Sequence, residues 1–148
     1  MTSQDTLDLA ALDAQDEATL DIRHPKSLAP TGWVWTFYGP GHPVTVGLAN
    51  RVAEAALKKA AARRQAQANG RKWKEDEQSL AEITAENVEA IVARTKSFSP
   101  IKFDGQLIEF SADAARGLLR DRRKAWLFEQ VSEFLRDEVN FIQPSATS

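Results

Sequence analysis

The chain of 148 residues carries 19 basic and 21 acidic side chains, a formal charge of -2, and its length suits one domain with one core. A composition of 43% hydrophobic and 27% charged residues argues against a wholly disordered or low-complexity chain. With no cysteine, the chain excludes disulfides, Cys-ligated zinc, iron–sulfur clusters and thiol nucleophiles.

No run approaches the roughly 18 apolar residues of a membrane span. The acidic start from Met1 to Asp13 lacks the basic and apolar regions of a signal peptide. The expectation is a protein soluble where it is made, with no membrane partner. The near-zero total charge hides segregation: Met1 to Ile22 holds Asp5, Asp8, Asp13, Asp16, Glu17 and Asp21 and no base. Arg51 to Lys74 holds eight bases against Glu54 alone.

In chain order, residues 1–16 read as a flexible acidic arm, because Leu7, Leu9 and Leu12 are too sparse to force a buried helix. Thr19 to Ile22 alternates and Trp33 to Tyr38 is aromatic and branched, which predicts two strands joined by a Pro- and Gly-containing reversal. Alternation sets Trp33, Trp35 and Phe37 on one face and Val34, Thr36 and Tyr38 on the other. The first set suits packing against helices. A strand near a chain end can also be an edge that receives a partner or a second copy.

A long basic helix is predicted from Pro43 or Val44 to the Asn69-Gly70 stop, with Leu48, Val52, Ala56 and Ala60 along its apolar stripe. Arg71 to Gln78 reads as a loop or the start of the next helix. Leu80, Ile83, Val88, Ile91 and Val92 mark a second helical region, with a possible break capped by Thr84 and an end at Ser99-Pro100. Asp104-Gly105 between Ile101 to Phe103 and Leu107 to Phe110 predicts a hairpin. Ser111 is placed to cap a short helix to about Leu119, and after the basic run Arg120 to Lys124 a last helix carries Trp126, Leu127, Val131, Phe134, Leu135 and Val139. The resulting fold class is α+β: an N-terminal β-hairpin, a long helix, a second helical region, a small β-hairpin and two C-terminal helices. A single domain spans residues 17–142, and residues 143–148 form a flexible tail.

Chemical motifs are sparse. His24 and His42 sit in Pro-flanked loops with no metal-ligand spacing, and no nucleophile elbow, phosphate-cradling loop or dinucleotide fingerprint occurs. The expectation is therefore no catalytic residue, no metal and no cofactor. Arg63, Arg64, Arg71, Lys72 and Lys74 around Trp73 admit three readings: a solvated helix face, a nucleic-acid patch, or a stripe that docks an acidic partner or the chain's own acidic arm. The sequence pI of about 5.7 weighs against nucleic acid.

The order of short segments resembles the tail assembly chaperones of long-tailed bacteriophages. The resemblance rests on Asp21-Ile22-Arg23-His24-Pro25, Ala29-Pro30-Thr31-Gly32-Trp33 and Tyr38-Gly39-Pro40-Gly41 in the N-terminal half. In the C-terminal half it rests on Phe103-Asp104-Gly105, Phe110-Ser111-Ala112-Asp113-Ala114-Ala115, Trp126-Leu127-Phe128-Glu129-Gln130-Val131 and Asn140-Phe141. It covers about residues 19–142. Departures from the family pattern fall at Phe98, where a Trp is common, and at Gly41-His42-Pro43, where an Asp-Ser is common.

The resemblance implies a non-enzymatic helper that binds the tape measure protein, keeps its hydrophobic helices soluble and helps recruit tail tube protein. It would act in the host cytoplasm during assembly and be absent from the mature virion, with a homo-oligomer possible. Partner-binding candidates are Trp33, Trp35, Arg63, Arg64, Trp126, Phe128 and Phe134. A structural virion component, such as a small head-tail connector or minor tail protein, is the alternative; a nucleic-acid-binding regulator ranks third and an enzyme last.

Overall fold

Alternating apolar side chains between Glu17 and Tyr38 build the sheet on which the rest of the protein packs. In the computed structural model, which describes residues 6–71 and 80–142, β1 (Glu17–Arg23) and β2 (Pro30–Tyr38) form an antiparallel hairpin. Trp33, Trp35 and Phe37 face inward and are buried, as the period-two pattern requires, while Val34, Thr36 and Tyr38 are half-buried on the opposite face. Each enclosed aromatic removes roughly 150–250 Å² from water, worth at most about 4–6 kcal/mol before conformational entropy is charged against it.

A third strand completes the sheet. Thr95–Phe98 (β3) follows directly on helix α2 (Leu80–Arg94) and pairs antiparallel with β2, giving the order β1-β2-β3. Two expectations change. The second helical region ends at Arg94 rather than at Ser99-Pro100, and the aromatic strand is the centre of the sheet rather than an edge. Ser99 prolongs the pairing: its amide donates to the Val34 carbonyl at 2.8 Å, and its hydroxyl accepts from the Val34 amide at 2.9 Å. Helix α2 runs unbroken through Thr84, whose hydroxyl donates to the Leu80 carbonyl at 2.9 Å instead of capping a new helix.

Helix α1 (Pro43–Ala68) has its start and stop where local chemistry sets them. The His42 ring nitrogen Nδ1 caps the Val44 amide at 3.1 Å, Pro43 occupies the first turn, and the His42 ring stacks on Tyr38. At the far end Gly70 adopts a φ of 69°. The Arg71 amide reaches the Ala66 carbonyl and the Gly70 amide reaches that of Gln67, which is the Schellman arrangement. The 26 residues of α1 contain none that is buried. Its apolar stripe is therefore not core: Val52 is 62% and Leu57 68% exposed.

The predicted second hairpin is formed by β4 (Ile101–Phe103) and β5 (Gln106–Ile108), with Asp104 and Gly105 both at positive φ, as a type I′ turn demands. Ser111 caps α3 (Ala112–Arg120) by accepting from the Ala114 amide at 2.9 Å. Helix α4 (Ala125–Arg136) follows a short 3-10 turn, and a second 3-10 turn, Glu138–Phe141, closes the chain onto the core. Val139 lies in that last turn, 66% exposed, and does not continue the α4 stripe; the residue that enters the core is Phe141.

One side of the sheet and the faces of α2, α3 and α4 enclose Ile22, Trp35, Phe37, Val88, Leu127, Val131 and Phe141. The Gln130 carboxamide joins α4 to β1 with two bonds to the backbone of Arg23: its oxygen accepts from the amide and its nitrogen donates to the carbonyl, each at 2.9 Å. The end of the expected acidic arm is held as well. Leu9–Leu12 forms a 3-10 turn capped by Asp8, Ala14 bridges to Ile142, and the Gln15 amide donates to the Phe141 carbonyl at 2.7 Å. The readings placed on Trp73, Lys72 and Lys74, and on the terminal tail 143–148, lie outside the described residues. No helix among the described residues is long and apolar enough to cross a membrane.

Candidate partner-binding surfaces

The proposed contact residues separate into core and surface. Trp35 is wholly enclosed and Trp33 nearly so. Their rings meet edge to face at 5.4 Å, Trp33 Nε1 donates to the Ser99 carbonyl at 2.9 Å, and both rings pack on Phe98. They are structural residues, because the strand that carries them is flanked on both sides and covered by helices. Arg63 and Arg64 lie exposed in the C-terminal half of α1.

Trp126, Phe128 and Phe134 all come from α4, but the 100° step between helical residues spreads them over different sides. Trp126 borders a pocket of about 210 Å³ between the β4-β5 hairpin and α3, with Ile22, Trp33 and Leu118 in its wall and the Lys124 ammonium 4.2 Å from the centre of the Phe103 ring. Phe134 packs at a tilt against Phe37 and Phe141 inside and borders a shallow concavity with Leu20, Arg23 and Gln130 outside. Phe128 lines a third concavity of about 700 Å³, between α1, α2 and α4. The three aromatics therefore do not form one surface.

The third concavity is wide, open and largely apolar. Its walls are Leu48, Ala49, Val52, Ala53 and Ala56 of α1, Ala90 and Ile91 of α2, and Phe128 and Leu135 of α4. Alanine on α1 gives helix propensity without filling the space, so the helix is stable in sequence terms yet leaves a furrow beside it. The charged groups in the wall are Arg94 and Arg136. Phe128 was among the residues expected to bind a partner; Arg94 was not, and it is the last residue of α2.

Arg94 is half-buried. Its Nε donates to the Tyr38 carbonyl at 3.0 Å, a terminal nitrogen approaches the Leu135 carbonyl at 3.5 Å, and the guanidinium lies 5.2 Å from the centre of the Phe141 ring. Burial pulls its pKa below the ordinary arginine value, and the negative charge of Glu138 offsets part of that effect.

Elsewhere on the surface an ion-pair cluster ties α2 to α3. Glu89 on α2 receives Arg116 of α3 through both carboxylate oxygens, and Arg120 lies 3.4 Å away. The hydrogen bond from Arg116, helped by the charges of Arg116 and Arg120 and opposed by burial, holds the Glu89 carboxyl below its ordinary 4.5. A carboxylate depressed in the folded state stabilises fully above its unfolded pKa, and that contribution is lost as the pH falls through the folded value. The stability difference between wild type and Glu89→Gln should therefore be constant above pH 4.5 and shrink below it. Unfolding midpoints measured across acid pH check this; a difference that persists unchanged in acid would contradict it.

The chain matches no protein family, no curated protein and no solved structure.

Proposed function

We propose that this protein is a non-enzymatic tail assembly chaperone of a long-tailed bacteriophage. It binds the tape measure protein, keeps it soluble and helps recruit tail tube protein in the host cytoplasm before tail completion. The resemblance set out above supplies the family. The residues that carry it, among them Gln130, Ser111 and Phe141, hold the fold together, so the motif order speaks for the fold and the binding surface has to be sought elsewhere.

The observation that supports a binding role is α1. A 26-residue helix about 39 Å long with no buried residue, beside an apolar furrow, leaves much of its apolar surface unused by folding. Long amphipathic helices of a partner are the natural occupants of such surface, by helix-in-groove recognition.

Co-expression with the tape measure protein tests the reading. The expected result is a several-fold rise in soluble tape measure protein. No rise, with both proteins well expressed, would sink the proposal. Mass spectrometry of purified particles separates a chaperone, which should be missing, from a tail component, which should be present at ring stoichiometry.

A further inference from the structure

Two furrows flank the line along which α1 meets α2. They share Leu48, Val52 and Ala90, but their charges differ. The furrow on the α4 side has Arg94 and Arg136 in its wall and no acid, whereas Glu86 and Glu89 border the other. From this asymmetry we propose that the α4-side furrow receives an acidic amphipathic helix of a partner protein. Its apolar face lies on Leu48, Val52, Ile91 and Phe128, and a carboxylate of the helix is set against Arg94 and Arg136. The inference rests on the chaperone reading for who the partner is, and adds where it binds and what chemistry it must carry.

Geometry and charge point the same way. On α1 the furrow runs from Thr45 to Ala56, about 17 Å or three helical turns, which is the reach of a set of i, i+3/i+4 and i+7 anchors. Ala49, Ala53, Ala56 and Ala90 are small enough to let a partner backbone come close.

Arg94 has surrendered part of its hydration to neutral carbonyls and a ring, and the charge of Glu138 offsets only part of the cost of that burial. A carboxylate brought into a water-poor furrow would make a charge-assisted, potentially bidentate pair with such a guanidinium. Arg51, Lys58 and Lys59 carry the same sign along α1. That sign disfavours a second copy docking α1 against α1, since like charges would then face each other. Nucleic acid is a poorer match for an apolar floor, because phosphates need polar partners at that depth.

The probe is a library of peptides of about 18 residues on an alanine-rich helical scaffold, with fixed leucines at i, i+4 and i+7 and the other positions drawn from Glu, Lys, Gln and Ser. It is selected on the immobilised full-length protein. The expected outcome is enrichment of Glu over Lys. The selected peptides should lose at least about tenfold in affinity on Val52→Glu and on Arg136→Glu, both at exposed positions that leave the core intact, and be unchanged on Lys102→Glu.

Selection of neutral or Lys-rich peptides, equal binding to Val52→Glu, or no binders would overturn the inference. So would a wild-type dimer, seen by sedimentation, that Val52→Glu dissociates. The two readings fail separately. Should Val52→Glu still solubilise the tape measure protein, the furrow is not the site and the chaperone reading stands. Should acidic peptides require the furrow while wild-type protein leaves the tape measure protein insoluble, the furrow stands and the chaperone reading falls.

Discussion

Phe141→Ala is expected to destabilise the protein by about 3–5 kcal/mol, the usual cost of emptying a buried aromatic site. Only 1% of Phe141 is exposed. Its ring packs on Phe134 at 5.4 Å and lies under the Arg94 guanidinium. Its carbonyl accepts from the Gln15 amide, and the neighbouring Ile142 bridges to Ala14, so the same short turn anchors both ends of the described chain.

Truncation would remove the transfer free energy of the ring and leave a cavity beneath a cation that has already lost part of its hydration. In a domain of this size a loss of that magnitude is a large fraction of total stability and corresponds to a fall in Tm of roughly 10 °C. Val139→Ala, two residues away in the same turn but 66% exposed, is the control and should change stability by less than about 0.5 kcal/mol. Urea unfolding of the two variants distinguishes the outcomes. Equal midpoints would mean that the closing turn does not seal the core.

Gly39→Ala should cost about 1–3 kcal/mol or more, by overpacking rather than by cavity formation. A Cβ on Gly39 would overlap the carbonyl oxygen of Gln15, and the next nearest atoms are also backbone, of Gln15 and Asp16. No side-chain rotation can relieve that clash. The chain at Gln15 and Asp16 would have to move, which breaks the 2.7 Å bond from the Gly39 amide to the Asp16 carbonyl and loosens the pairing of Gln15 with Phe141.

Gly41→Ala, two residues on, meets nothing within 4 Å and should be neutral or slightly stabilising, because alanine lowers the entropy of the unfolded chain. Thermal unfolding gives the contrast, and amide exchange at Gln15 locates it: faster exchange in Gly39→Ala but not in Gly41→Ala. Equal stability of the two variants would contradict the close approach.

Elements whose signals are local were legible in the sequence. Asp104-Gly105 dictates its turn through positive φ, Ser111 its cap through one side-chain oxygen, and Asn69-Gly70 its helix stop, and all three are found where those residue types require them. The alternation from Trp33 to Tyr38 likewise gave the buried face of β2. What escaped depends on partners distant in the chain. Thr95-Lys96-Ser97-Phe98 has one inward aromatic and reads as a polar helix end; it is a strand only because β2 offers an open edge to it.

Phe141 follows a polar residue in an acidic turn, and nothing local marks it as core. The stripe on α1 failed in the opposite sense: periodicity correctly gave a helix but could not say whether its apolar side was covered, since alanine spacing is the same on a buried and on an open helix. Of the furrow, Phe128 was visible as an aromatic on a hydrophobic helix. Arg94 was not, because its desolvation comes from Tyr38, Leu135 and Phe141, on two other parts of the fold.

The two bonds between Gln130 and Arg23 bear on aggregation. With β2 in the middle of the sheet, β1 presents one of the two outer edges, and an unpaired edge is a template on which another chain can add a strand. A carboxamide has the donor and acceptor of a peptide group. Gln130 occupies both backbone groups of Arg23, as a neighbouring strand would, without presenting a further edge of its own. The side chain thereby blocks strand addition at this one residue of the β1 edge. It leaves growing assemblies one place fewer to start on the outer edge of β1.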